Sequence, residues 1–257
     1  KITIDEMQGV THYMLDIKEL WQDYNVAEFQ KDVLPILQKL YIKQTLPFLV
    51  GGTGLYIESI VYDYQIPSIP IQKQLRDELS QLDKLKLQAK LLSLNPEIGL
   101  NKSDWNNPVR LIRAIEMNTF NIKPIKAQQS QQYNSLLIGL TASLAEIKNR
   151  IIIRVEERLK QGAIEEVQNI RLILSEKLSP ELASIKIQQF GLGTIAICDY
   201  LNNKIDYEDM KQKYIQSEYQ YARRQLTWFR RMPEIKWFDA NDVNLLSKTS
   251  QLISDFL

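Results

Sequence analysis

The sequence has little of the chemistry that stabilises small secreted proteins or holds metals. It contains one cysteine, Cys198, and one histidine, His12, in 257 residues. One cysteine excludes an internal disulfide, and one histidine with one cysteine cannot form a His/Cys zinc site. We therefore expect a reducing, cytoplasmic setting, with no metal ligands among these residues. Cys198 is expected to pack and His12 to form a structural hydrogen bond, neither acting as a catalyst.

Glycine and proline are also scarce, at nine residues each, which excludes collagen-like and low-complexity chains. No apolar run approaches the roughly 18 residues of a membrane span. The 44% hydrophobic and 25% charged residues are typical of a globular protein with one main domain and an inserted or appended lobe. The net charge of +1 indicates no particular partner, but basic residues gather at 102–126 and 208–231, where we expect a polyanion to bind.

Hydrophobic spacing predicts a chain of alternating strands and helices. The predicted strands lie at residues 12–17, 46–50, 136–140 and 236–239, and the third is apolar enough to be buried on both faces. The predicted helices lie at residues 26–43, 72–94, 109–117, 143–174 and 207–231, with an interruption of the fourth at Gly162. Asn107 and Pro108 are a helix start, as N-cap and first-turn residue. This order favours an α/β fold.

A glycine-rich turn follows the predicted strand at 46–50. It comprises Gly51, Gly52, Thr53 and Gly54 and leads into a helix, so its backbone amides can face an anion at the helix N-terminus. The alternative is a tight turn in which the glycines serve packing alone. The sequence contains no G-x-x-x-x-G-K-[ST] motif, and therefore no complete P-loop.

Three arginines share one face of the helix predicted at 143–174. Their spacing of four residues puts them opposite an apolar set. The arginines are Arg150, Arg154 and Arg158, and the apolar residues are Ile151, Val155 and Leu159. Three guanidinium groups in a row can clamp a diphosphate, because arginine binds phosphate oxygens bidentately. The alternative is a salt-bridged surface, with Glu156, Glu157, Glu165 and Glu166 as the carboxylates.

Two basic stretches have a composition that suits RNA. Arg110 and Arg113 share one face of the helix that begins at Pro108. Residues 219–231 combine four arginines with four aromatic residues, which matches phosphates and unstacked bases. The alternative is that the aromatic side chains bury the helix while the arginines are solvated.

Four motifs in this order resemble those of the tRNA dimethylallyltransferases. They lie at residues 46–57 (LPFLVGGTGLYI), 106–116 (NNPVRLIRAIE), 150–167 (RIIIRVEERLKQGAIEEV) and 222–230 (ARRQLTWFR), and residues 6–17 fit as well. The resemblance extends from about residue 1 to Asp239. It implies an enzyme that moves the dimethylallyl group of dimethylallyl diphosphate to N6 of the adenosine just 3′ of the tRNA anticodon.

The resemblance also implies an architecture and partners. It implies a P-loop-kinase-like α/β core with a parallel sheet at residues 1–65 and 127–257, C-terminal helices, and a helical tRNA-binding lobe inserted at residues 66–126. The target adenine would be flipped out of its stack into a channel. The implied partners are the tRNA anticodon stem-loop and dimethylallyl diphosphate, with Mg²⁺ as cofactor, no membrane, and a monomeric protein.

Residue roles follow from the same resemblance. Arg154 matches the family's catalytic arginine, and Thr53 matches the threonine of its glycine turn. The implied diphosphate-binding residues are Gly51, Gly52, Gly54, Arg150 and Arg224. The implied tRNA-binding residues are Arg76, Val109, Arg110, Leu111, Ile112, Arg113, Arg223 and Gln225.

The sequence departs from the family pattern in several places. The family's P-loop, which holds diphosphate and Mg²⁺, and the aspartate expected as general base both precede the segment that matches Lys1, so we expect residues 1–257 alone to be inactive. The register at residues 188–193 is open, and Ile122 stands where the family has glycine. The alternative functions are a P-loop-type nucleotide or nucleoside kinase and a non-catalytic RNA-binding remnant.

Overall fold

A computed structural model of the chain describes residues 2–62, 64, 72–122 and 133–257. The described residues form helices and a small parallel sheet, which is consistent with the predicted α/β class. The elements are α1 (Val26–Ile42), α2 (Gly54–Val61), α3 (Lys73–Ser80), α4 (Lys84–Leu94), α5 (Lys102–Trp105), α6 (Pro108–Thr119), β1 (Ile138–Thr141), α7 (Leu144–Lys160), α8 (Ala163–Lys177), α9 (Pro180–Ile187), α10 (Thr194–Leu201), α11 (Tyr207–Phe229), β2 (Lys236–Asp239) and α12 (Leu245–Phe256).

The sheet consists of β1 and β2, paired in parallel with Ile138 opposite Lys236 and Thr141 opposite Asp239. Both strands were predicted, but β1 is not buried on both faces, since Leu140 is 57% exposed. That prediction was wrong because a continuous apolar run indicates only the potential for burial. A two-stranded sheet in the described residues presents little surface for other elements to cover.

The two other predicted strands do not form. In residues 12–17, Met14 and Asp16 have φ values of 63° and 52°, a left-handed backbone that cannot pair as a strand. Residues 46–50 form no regular element, and Phe48 and Val50 are exposed. An apolar run becomes a strand only where a partner strand satisfies its backbone groups, and the described sheet ends at β1 and β2.

The first two helices set the position of the glycine turn. A capping box between Asn25 and Glu28 begins α1, close to the predicted boundary. The Phe29 ring then lies 4.7 Å from the Tyr56 ring of α2. Gln30 Nε2 donates a hydrogen bond to the Ser59 carbonyl at 2.6 Å. These contacts fix α2, and with it the glycine turn that precedes it.

Helices α3 to α6 form a lobe with its own apolar core, composed of Leu79, Leu87, Leu91, Leu111 and Ile115. The helix predicted at 72–94 is broken at residues 81–83, where the Asp83 side chain caps α4. As predicted, α6 begins with Asn107 as N-cap and Pro108 in its first turn. The predicted lobe boundaries, near residues 65 and 126, lie outside the described residues.

The main core lies between α7, α8, α10 and α11. The apolar face predicted for α7 is buried in it, as Ile151, Val155 and Leu159. Gly162 separates α7 from α8, as predicted, and has a φ of 96°. A residue in this left-handed conformation ends a helix, and glycine adopts the conformation without strain. Packing of α7 against α11 leaves the arginine face of α7 beside α11.

Candidate active site

Helix α11 connects the two parts of the predicted site. It has 23 residues, about 35 Å of helix. Near its middle, Tyr214 and Ile215 are buried in the core that α11 shares with α7. Further along, Tyr221 and Gln225 reach the glycine turn. One rigid element therefore positions both the arginine face and the glycine turn.

The glycine turn is held against α11 by polar contacts. Thr53 is the N-cap residue of α2, but its side chain forms no capping hydrogen bond. Its hydroxyl lies 3.4 Å from the Tyr221 hydroxyl instead. Gln225 Nε2 donates to the Gly52 carbonyl at 3.0 Å. Two of the predicted site residues, Thr53 and Gln225, are thus brought to the same place.

Close packing requires a glycine at position 54, where α2 meets the rigid Trp228 ring. A Cβ on Gly54 would overlap the Trp228 ring, and one on Gly52 would overlap the Gln225 amide. A Cβ on Gly51 would meet no described atom within 4 Å. Trp228 Nε1 is buried beside the turn and has no hydrogen-bond partner among the described residues. The packing alternative is therefore supported at Gly54, where the α2 N-terminus lies directly against α11.

Two of the three arginines of α7 meet the same carboxylate, Glu218. Arg154 Nη2 lies 2.5 Å from Glu218 Oε2, and Arg158 Nη1 lies 3.2 Å from Glu218 Oε1. The Glu218 side chain is 9% exposed, whereas those of Arg154 and Arg158 are 50% and 48% exposed. The Tyr214 hydroxyl, 3.4 Å from Arg158, raises the pKa of that guanidinium further, and Glu218 adds to this. Both arginines are cations with donors left for a ligand.

Arg150 is held separately from its two neighbours. Its Nε donates to Glu146 at 2.8 Å, and its Nη2 contacts Asn241 after β2. The predicted salt bridging is therefore present, but its carboxylates are Glu146 and Glu218. Glu218 had no signal in the sequence, because its place beside α7 depends on which helices pack together.

Two arginines assigned to tRNA share a buried carboxylate in the lobe. Arg76 donates Nε and Nη2 to Glu116 at 2.5 and 2.7 Å, and Arg113 donates to it at 3.2 Å. Glu116 is fully buried. Burial raises the pKa of Glu116, but the hydrogen bonds from Arg76 and Arg113 outweigh it and hold the pKa below its ordinary value. Both arginines are still about one-third exposed.

The other predicted residues of α6 divide between surface and core. Val109 is 75% exposed, and Arg110 contacts Asp104 while half of its side chain remains exposed. Leu111 is fully buried in the lobe core, and Ile112 packs against that core. The structure gives these last two a packing role.

The end of α11 presents arginines beside aromatic rings. Arg223 and Arg224 are exposed. The Arg224 guanidinium lies 5.6 Å from the Tyr221 ring centroid, and that of Arg231 lies 5.4 Å from the Trp228 centroid. Trp228 packs against the glycine turn while the arginines remain at the surface, as the alternative predicted, and RNA binding by this segment stays a prediction.

The structure assigns no chemistry to the lone cysteine and histidine. Burial raises the pKa of the Cys198 thiol, which keeps it protonated. His12 Nδ1 lies 2.9 Å from the Val10 carbonyl oxygen. In the described ranges, no three His, Cys, Asp or Glu side chains come together as metal ligands. No helix in the described part of the chain combines the length and apolar character needed to cross a bilayer.

Sequence comparisons give a consistent picture. A family model described as IPP transferase matches residues 1–232. A tRNA dimethylallyltransferase from Bacillus mycoides is 35% identical over 265 residues, covering 98% of this chain and 79% of that protein. One from Thermoanaerobacter sp. is 35% identical over 269 residues, covering 100% of this chain and 83% of that protein.

Solved structures are similar along the whole chain. The full-length tRNA isopentenylpyrophosphate transferase from Bacillus halodurans matches with a TM-score of 0.68 and 28% identity, covering 100% of this chain and 81% of that one. A eukaryotic dimethylallyltransferase acting on tRNA matches with a TM-score of 0.75 over 99% of this chain and 68% of that one. At 20% identity, this second match bears on the fold alone.

Proposed function

Because the chain belongs to the IPP transferase family, we propose that it acts as a tRNA dimethylallyltransferase. It transfers the dimethylallyl group of dimethylallyl diphosphate to N6 of the adenosine just 3′ of the anticodon. The observation that carries this function to particular residues is the placement of the glycine turn and the arginine face against one helix, α11. The residue roles below are proposals.

The reaction sets the requirements of the site. The adenine N6 attacks the allylic carbon, the bond from that carbon to the diphosphate oxygen breaks, and a proton leaves N6. Negative charge therefore increases on the departing diphosphate, and fixed donors aimed at it lower the barrier. Arg154 is proposed as the catalytic donor, because it is a permanent cation with half of its side chain exposed. Arg150 and Arg224 would add charge around the diphosphate.

The glycine turn is proposed as the second half of the diphosphate site. At the N-terminus of α2 the first backbone amides lack helical partners and attract anions. The open space at Gly51 leaves room for a ligand to approach the backbone. Thr53, whose hydroxyl caps nothing and faces Tyr221, is proposed to contact the reacting groups.

The exposed cations are proposed to grip the anticodon stem-loop. Arg110 and Arg113 lie on α6 of the lobe, where Val109 is an exposed apolar neighbour, and Arg223 lies towards the end of α11. Phosphate contacts from arginines fix the position of RNA, and aromatic rings stack its unpaired bases. We propose residues 66–126 as the inserted tRNA-binding lobe, and residues 1–65 and 127–257 as a P-loop-kinase-like core.

Three further properties belong to this proposal. Mg²⁺ would accompany the diphosphate, since Mg²⁺ binds largely through substrate phosphates. The protein is proposed to act as a monomer. Its tRNA substrate and the single cysteine fit the cytoplasm.

A transfer assay tests the function directly. The protein expressed from its complete gene is incubated with unmodified tRNA and dimethylallyl diphosphate, and the nucleosides are examined by mass spectrometry. We expect one dimethylallyl group on the adenosine next to the anticodon. Phosphorylation of a nucleoside or nucleotide by ATP would favour the kinase alternative. Binding of tRNA with no transfer would favour the RNA-binding remnant.

A further inference from the structure

The proposed reaction leaves the buried carboxylate of Glu218 without a role. Glu218 lies on α11 and is only 7% exposed. A buried carboxylate is unfavourable unless other groups pair with it and satisfy its oxygens. Glu218 is paired with Arg154 and Arg158 of α7, which packs against α11 in the main core. The packing of α7 against α11 therefore holds Glu218 next to these two arginines.

The carboxylate divides its two oxygens between two arginines. Oε2 accepts from Arg154 at 2.5 Å, and Oε1 accepts from Arg158 at 3.2 Å. These arginines are four residues apart on α7, about 6 Å along the helix axis. A single buried group thus fixes two guanidinium groups at neighbouring positions. Such a pair suits a ligand that has two linked phosphoryl groups.

The arginines remain available to a ligand despite this contact. Each retains about half of its side-chain exposure, and a guanidinium has five N–H donors, of which Glu218 uses few. Arginine has many rotamers, so holding its side chain before binding reduces the entropy lost when the ligand binds.

The position of Glu218 on α11 links the two halves of the site. Tyr221 lies three residues further along α11 and Gln225 lies seven residues further, and both contact the glycine turn. The helix that orients the arginines therefore also sets their distance from the turn. An ordinary surface ion pair between α7 and α11 would not have this property.

We propose that Glu218 is a positioning residue, which holds Arg154 and Arg158 in the geometry that stabilises the leaving diphosphate. This inference rests on the proposed function. Glu218 touches neither the donor nor the RNA, and it acts only through the two arginines. The opposite possibility is that its charge competes with diphosphate for the guanidinium groups, and the test separates the two.

The test begins with E218Q and E218A in the protein expressed from its complete gene. Loss of a hydrogen bond to a charged group should lower kcat about 10- to 100-fold. The KM for tRNA should not change, because the proposed RNA-binding residues do not include Glu218, Arg154 or Arg158. Inhibition by inorganic pyrophosphate should weaken about tenfold in the same variants. A faster enzyme, or tighter pyrophosphate inhibition, would mean that Glu218 competes with the ligand.

A double-mutant cycle shows whether Glu218 acts through Arg154. If it does, E218A should cause little further loss in the R154A background, so the two effects should not add. Fully additive losses would overturn the proposal. E218D keeps the negative charge on a side chain that is one methylene shorter, so it should retain part of the activity that E218A loses. The positioning role would also be contradicted if E218D and E218A lost kcat equally while inhibition by pyrophosphate stayed unchanged.

A matched control separates this role from a general contribution to the packing of α7 against α11. Glu156 of α7 pairs with Lys211 of α11 at 3.5 Å in the same interface, where the Glu156 side chain is 43% exposed. E156Q should leave transfer and pyrophosphate inhibition unchanged, while equal damage in E156Q would overturn the proposal. Thermal unfolding of each variant confirms that it is folded at the assay temperature. If R154A turns over normally, the proposed role of Arg154 fails; if only R154A is impaired and E218Q is not, the Glu218 inference fails alone.

Discussion

The buried carboxylate of the lobe offers a test of stability that does not depend on the enzymatic activity. Glu116→Gln keeps the shape of the side chain but removes the charge that Arg76 and Arg113 contact. Breaking a fully buried ion pair costs about 3–5 kcal/mol. Here both arginines are one-third exposed and can regain water, so we expect a smaller loss, about 2–4 kcal/mol at pH 7.

The same contact predicts the direction of a pH effect. The folded pKa of Glu116 lies below its ordinary value of 4.5. A lowered carboxyl pKa stabilises the protein above the unfolded pKa, and this stabilisation is lost as the pH falls through the folded pKa. The difference in the free energy of unfolding between the wild type and E116Q should therefore be largest at pH 7. It should decrease as the pH falls below about 4.5.

Thermal unfolding over a pH series measures both effects. For a chain of this size a loss of 2–4 kcal/mol corresponds to a Tm decrease of about 5–15 °C. E78Q on α3 is the control, since Glu78 is exposed and its variant should unfold like the wild type. The reasoning would be refuted if E116Q were as stable as the wild type at pH 7, or if the difference did not change down to pH 3.

Two further predictions concern the turn and the RNA surface. Gly54→Ala should cost about 1–3 kcal/mol and reduce transfer, because the new methyl group overlaps the rigid Trp228 ring. Gly51→Ala, which meets no described atom, is its control for stability in the same thermal unfolding assay. Arg110→Ala combined with Arg223→Ala should weaken tRNA binding and reduce its salt slope by about one per lost phosphate contact. An unchanged slope in salt titrations would remove α6 and the end of α11 from the RNA interface.

The sequence predicted those features that depend on local chemistry. The start of α6 is determined by Asn107 and Pro108, which lie next to each other in the chain, and its N-cap is where we predicted it. The buried face of α7 follows from the spacing of Ile151 and Val155, because helix geometry alone sets that periodicity. The glycine-led break at Gly162 has the same local origin.

Features that depend on distant partners could not be predicted. Residues 46–50 have the composition of a strand, but pairing needs a neighbour that the run itself does not specify. Glu218 is 64 residues from Arg154, and Tyr221 is 168 residues from Thr53. Periodicity assigns a face to each helix, but it does not say which helix packs against that face. The partners of the site residues were therefore visible only in the structure.

The central claim is that Arg154 stabilises the diphosphate during transfer of the dimethylallyl group to tRNA. The most direct measurement is the turnover of R154A, with the Kd for tRNA measured on the same sample. We expect turnover to fall by about 100-fold or more, with a nearly unchanged Kd. R154K, which keeps the charge but not the bidentate guanidinium, should remain well below the wild type. Turnover of R154A close to that of the wild type would contradict the account.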